Sequence, residues 1–168
     1  IRSALALHLL IHAPTGAPLA AATTSLPQWV GGEGNWDYRY SWVRDSCYML
    51  GALLALGSMQ ETQRYLEWLT EVCPTGQSLA VMFDLDGRRV IPEFTLDHLD
   101  GYQGSRPVRI GNGASTQHQL DIFGAFVELV WRYWRGGGEI EPTVWRLLTE
   151  QVGWVSAHWR EPDSGIWE

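Results

Sequence analysis

Lysine is absent from this sequence: its 12 basic residues are all arginine, set against 19 acidic ones for a formal net charge of −7 and a pI near 5.2. That balance leaves no cationic surplus for a phosphate backbone, and no basic cluster interleaves with aromatics, so nucleic acid is excluded as an expected partner. The lack of lysine also rules out the GxxxxGK[ST] phosphate loop. Cysteine is scarce, with only Cys47 and Cys73. They lie far apart inside apolar helical patterns, where a disulfide scaffold would instead punctuate short loops, so two buried free thiols are expected. Long apolar runs are missing too. The opening stretch, residues 1–11, is about half the roughly 20 residues a membrane span requires, and it lacks a basic flank with a small-residue cleavage site. No membrane partner is expected, and the expected location is cytoplasmic.

What is present is a 168-residue chain of 45% hydrophobic content, enough for one domain with a core or for one piece of a larger domain. Residues 2–12 are apolar nearly all round and predict a helix buried on most sides, ended by Pro14 to Pro18. Residues 42–56 repeat that character, interrupted near their start by Arg44 and Asp45. Residues 61–73 carry Tyr65, Leu66, Leu69 and Cys73 on one stripe and stop at Pro74, which predicts an outer-layer helix. Two more helices follow: one with Leu120, Phe123, Val127, Trp131 and Trp134 at helical spacing, ended by Gly136 to Gly138, and one opened by Pro142 with Val144, Leu148, Val155 and Trp159. Before these two, residues 79–94 predict a β-hairpin turning at Asp84-Leu85-Asp86-Gly87. The DxDG string is not a calcium loop, because the later ligand positions are not filled. Residues 95–113 are irregular. The fold class is all-α with decorated loops.

Ten tryptophans are more than packing alone commonly requires. Trp68, Trp131, Trp134, Trp145 and Trp154 fall within helices, and packing is their expected role. Trp36, Trp42 and Trp167 differ in neighbouring charged residues in or beside loops. Three constellations carry candidate chemistry. In Asn35-Trp36-Asp37-Tyr38-Arg39-Tyr40-Ser41-Trp42-Val43-Arg44-Asp45, charges adjoin an apolar helix. Arg44 and Asp45 either grip adjacent hydroxyls of a sugar or form a structural ion pair at a helix start, and the pattern leaves both readings open. The stretch from Asp97 to Asn112 is polar and glycine-rich, suited to an active-site rim. Asp97, His98 and Asp100 are too close in sequence to aim at one metal ion. Pro162-Asp163-Ser164-Gly165-Ile166-Trp167-Glu168 sets a carboxyl beside an indole. Burial there would raise its pKa toward that of a general acid, while an exposed glutamate is the plainer alternative.

GNWDYRYSWVRD, LDHLDGYQGSRPVRIGN and PDSGIWE, in this order and spacing, resemble glycoside hydrolase family 15, the glucoamylase, glucodextranase and trehalase family, over nearly the whole chain. The resemblance implies the first part of a six-fold α/α barrel (a toroid of paired helices) with a small β-hairpin excursion. Residues 1–168 would be the N-terminal half of such a catalytic domain, a fragment of a longer protein that needs the missing C-terminal half, with five or so of twelve barrel helices. An open half-barrel would leave apolar surface uncovered. The implied activity is inverting hydrolysis of terminal α-glucosidic bonds, releasing glucose from α-glucans in the manner of glucoamylase; trehalase is the alternative within the family. The implied partners are an α-glucan, a maltooligosaccharide or trehalose. A catalytically silent sugar-binding or regulatory module is the alternative of another class. By the same resemblance, Glu168 is the general acid and Trp167 packs beside it. Tyr38 supports the developing oxocarbenium ion, Trp42 lines the first sugar subsite, Arg44 and Asp45 grip the terminal glucose, and Gln103 faces the next subsite. No cofactor is implied and no metal is needed for the chemistry. The general base lies in the half not present, so the isolated fragment is expected to be inactive.

Overall fold

Apolar residues three and four positions apart produce helices close to where the pattern places them. The computed structural model describes residues 2–166. Within them lie α1 (Arg2–Leu9), α2 (Val43–Ala55), α3 (Met59–Val72), α4 (Asp121–Arg135) and α5 (Pro142–His158). Pro142 opens α5, where its missing N–H has no helical partner to lose, and α3 stops one residue before Pro74 at Cys73. No helix among the described residues is long and apolar enough to cross a membrane.

Helices α2 and α4 make the most extensive contact, with α3 packed on α2 and α5, and α5 on α4. Leu50 and Leu53 of α2, Tyr65, Leu66 and Leu69 of α3, Phe123, Phe126 and Leu129 of α4, and Val144 and Leu147 of α5 form one core. Helix α3 keeps a polar outer face, in keeping with its single stripe. Gln151 staples α5 to the loop after α3: its Oε1 accepts from Leu79 N–H at 2.8 Å and its Nε2 donates to Gln77 O at 2.9 Å. Cys47 and Cys73 are buried free thiols, and burial pushes both pKa values up.

Four expectations are corrected. Helix α1 buries none of its residues, with Leu5 58% and Leu9 84% exposed, because among the described helices it packs mainly on α2. In α4 the buried face is Ile122, Phe123, Ala125, Phe126, Leu129, Val130 and Tyr133, while Val127, Trp131 and Trp134 of the expected stripe are exposed, as are Trp145 and Trp159 of α5. The Asp84–Gly87 turn forms, closed by Asp84 N–H to Arg88 O at 3.0 Å with Gly87 at φ 86°. Its first arm, β2 (Met82–Phe83), pairs not with the second arm but antiparallel with β1 (Ser41–Trp42). A further two-stranded ladder joins β3 (Phe94–Thr95) to β4 (Arg109–Ile110), across the segment expected to be irregular.

These ladders meet at Asp37, which is fully buried. Its carboxylate accepts from Arg39 Nε and Nη2 at 2.8 Å each, from the Tyr40 hydroxyl at 2.8 Å and from Gly111 N–H at 3.3 Å. Its carbonyl accepts from Asn112 Nδ2 at 3.1 Å. Gly111 has φ 80°, and a Cβ there would lie 1.9 Å from Pro92 O, so only glycine allows this approach. Burial alone would raise the Asp37 pKa, but the hydrogen bonds from Arg39 and Tyr40 outweigh it and hold the carboxyl below its ordinary value. A depressed folded pKa contributes stability that is complete above the unfolded value, about 3.9, and is lost as pH falls through the folded one. Asp37→Asn is therefore expected to cost about 1.5–3 kcal/mol near pH 7. It should also flatten the loss of stability as pH falls below about 4 relative to the parent. Urea midpoints measured across that range check this, and parallel acid slopes for the two proteins would contradict it.

Candidate active site

The segment entering α2 is fixed before the helix begins. Trp36 and Ser25 bond reciprocally, Trp36 N–H to Ser25 Oγ and Ser25 N–H to Trp36 O, both at 2.8 Å. Ala21 N–H donates to Tyr38 O and Ala20 N–H to Tyr40 O, each at 2.9 Å. The backbone stays extended through Trp42 (ψ 129°) and turns helical at Val43, whose N–H bonds Val81 O at 3.0 Å. Arg44 and Asp45 thus fall in the first turn of α2, where a carboxylate complements the helix dipole. The Arg44 side chain, 15% exposed, crosses to α4: Nη1 donates to Gln119 Oε1 at 2.8 Å and to Asp121 Oδ2 at 3.3 Å, and Nη2 lies 3.4 Å from Asp45 Oδ2. The structural ion pair exists, and the binding reading survives beside it, because both residues line an open cleft.

That cleft has a volume of about 560 Å³ and brings together Tyr38, Trp42, Arg44 and Asp45. The size falls within the roughly 300–1,000 Å³ common for small-molecule sites. Trp42, only 3% exposed, forms part of its floor, with the Tyr38 ring 5.6 Å away and tilted by 46°. Gln103 is not among the lining residues; it sits exposed in the single turn Tyr102–Gly104 with φ 48°. Trp167 and Glu168 lie outside the described residues. The residue before them, Ile166, lines the cleft. The turn leading to it is pinned to the start of α4: Asp163 Oδ2 accepts from Leu120 N–H at 3.0 Å, Oδ1 from Gly165 N–H at 3.1 Å, and Ser164 N–H donates to His118 O at 2.7 Å. The Leu120 and Gly165 amides hold the Asp163 carboxyl below its ordinary pKa.

Sequence reasoning missed Gln28, Glu93 and Gln117 as cleft residues, and it noted Trp36 and Asn112 without assigning them a role. Polar residues in polar loops give no signal of their own. For Trp36 the signal was an indole placed among charges. The cleft therefore combines an aromatic floor, the carboxylates of Asp45 and Glu93, the Arg44 guanidinium and the amides of Gln28, Asn112 and Gln117. Such a mixture of donors, acceptors and ring faces suits a neutral polyhydroxylated ring. Among the described residues no group of three His, Cys, Asp or Glu is arranged to hold a metal ion.

Comparison with known proteins agrees with this chemistry. A trehalase of Mycolicibacterium smegmatis is 46% identical over 99% of the chain and 26% of its own length. A trehalase of Thermoplasma acidophilum is 40% identical over the whole chain and 29% of its own length, and trehalase 1 of Sulfolobus acidocaldarius is 40% identical over 95% of the chain and 29% of its own. The chain thus spans between a quarter and a third of the length of these curated relatives. No solved structure matches it. The family model described as Glycosyl hydrolases family 15 matches residues 1–168, and the chain belongs to that family.

Proposed function

We propose that this chain supplies the sugar-gripping wall and the general acid of a trehalase, which hydrolyses the α,α-glucosidic bond of trehalose to two glucose molecules. The convergence of Tyr38, Trp42, Arg44 and Asp45 on one cleft carries the reading. The relatives named trehalase favour trehalose over the α-glucans of the glucoamylase-like expectation. Arg44 and Asp45 grip hydroxyls of one glucose, and Tyr38 and Trp42 face its ring where positive charge develops. Glu168 protonates the bridging oxygen as the bond to the anomeric carbon breaks. Water adds to the opposite face of that carbon and gives its proton to a base from a segment beyond this chain, about 6.5–9.5 Å from the acid in an inverting geometry.

The same reading makes residues 1–168 the N-terminal half of a six-fold α/α barrel. It accounts for the apolar side chains left exposed on α1, α4 and α5, among them Leu9, Trp131, Trp134 and Trp145, as surface that the remaining helices cover.

In the full-length protein, glucose release from trehalose is expected to exceed release from maltooligosaccharides, and the reverse preference would restore the glucoamylase-like reading. Glu168→Gln is expected to lower kcat by about 10²–10⁴-fold with trehalose binding retained; unchanged turnover would remove Glu168 from its role. Asp163→Ala, which frees the turn before the acid, is expected to cost about 10–100-fold in kcat with little change in KM. A pure KM effect would show that the turn serves binding instead.

A further inference from the structure

We infer that Glu93, held by Arg109 beside Trp36, recognises the leaving sugar and so determines which aglycone the cleft accepts; the inference rests on the glycoside-hydrolase reading above. Arg109 is 17% exposed and locked from one side: its Nη1 donates to Glu33 O and Asn35 O at 2.8 Å each. Its guanidinium carbon lies 5.7 Å from the centre of the Trp36 ring, and its Nε faces Glu93 Oε1 at 3.3 Å. Trp36 is itself fixed by the reciprocal bonds to Ser25. A carboxylate, an indole and the cation between them therefore form one preorganised unit.

The Glu93 carboxylate retains acceptor capacity. Its contacts are long, 3.3 Å to Arg109 Nε and 3.4 Å from Gly113 N–H to Oε2, and its side chain is 31% exposed. An ionised carboxylate offers about four lone-pair sites, so hydroxyl donors have positions left to fill. Both Glu93 and Trp36 line the cleft. They come from the β3 edge and the loop before Asp37, whereas Arg44 and Asp45 come from the start of α2. With the first glucose gripped at α2, this separate wall is left to meet the second ring, its hydroxyls on Glu93 and its apolar face on Trp36.

The test uses the full-length protein and two substrates: trehalose, whose leaving group is a glucose, and α-glucosyl fluoride, whose leaving group carries no ring. Glu93→Gln and Glu93→Ala are each expected to lower kcat/KM for trehalose about 10- to 100-fold more than for α-glucosyl fluoride. Because the readout is a ratio within one preparation, a smaller folded fraction cancels. Equal losses on both substrates, or no loss on trehalose, would overturn the assignment while the parent's turnover keeps the hydrolase reading intact. A full-length parent that cleaves neither substrate would overturn that reading and the subsite with it.

Discussion

A carboxylate taken out of water has to find hydrogen-bond donors and a compensating charge, and Asp37 finds them on more than one segment. Arg39 and Tyr40 lie just downstream and Gly111 follows β4 directly, with Asn112 bonding the Asp37 carbonyl. Removing one of these segments would leave a buried charge short of partners, an outcome that costs several kcal/mol. The two loops are consequently held as a unit. Tyr38 and Trp42 lie on the stretch between Asp37 and the helix, so their rings inherit the rigidity of a hub that does not itself line the cleft.

Arg44 makes the second such connection, this time between helices. It joins the first turn of α2 to Gln119 and Asp121 at the start of α4, so two helix N-termini and their partial positive charge face the same region. Asp45 and Asp121 answer that charge from the first turns. On the other wall Arg109 and Glu93 balance each other. The result is a cleft rich in charged groups but nearly neutral in sum. A neutral sugar gains from local donors and acceptors matched to its hydroxyls and gains nothing from a large net field, which fits the balance seen here.

The helices were legible because each repeats its apolar spacing over two or more turns. Which face is buried was legible in α3 but not in α4. Helix α4 carries Phe126 and Leu129 on one side and Val127, Trp131 and Trp134 on another, and only the arrival of α2 selects the first. Local periodicity holds no information about a neighbour. The ladders were illegible for a different reason: two-residue strands are too short to show alternation, and Ser41 of β1 finds its partner 42 positions downstream, at Phe83. In the site, Trp42, Arg44 and Asp45 stood out because charge next to an apolar helix is an anomaly. Glu93 and Gln117 did not, since a polar residue in a polar loop looks like every other. Asp37 was visible as a residue of the motif and invisible as its hub, because its burial depends on Gly111, far along the chain.

The short stretch from residue 117 to 121 links the two halves of the proposed chemistry. Gln119 and Asp121 fix Arg44, the proposed grip on the sugar; Leu120 N–H and His118 O fix the Asp163–Ser164 turn, which precedes the proposed acid in the sequence. Alternate residues of one segment thus point to opposite duties. A displacement of α4 therefore carries Arg44 and the Asp163–Ser164 turn together. Proton transfer to a glycosidic oxygen tolerates an error of about 1 Å poorly. Tying Arg44 and the Asp163–Ser164 turn to one piece of backbone keeps the two in register more directly than stiffening either alone would do.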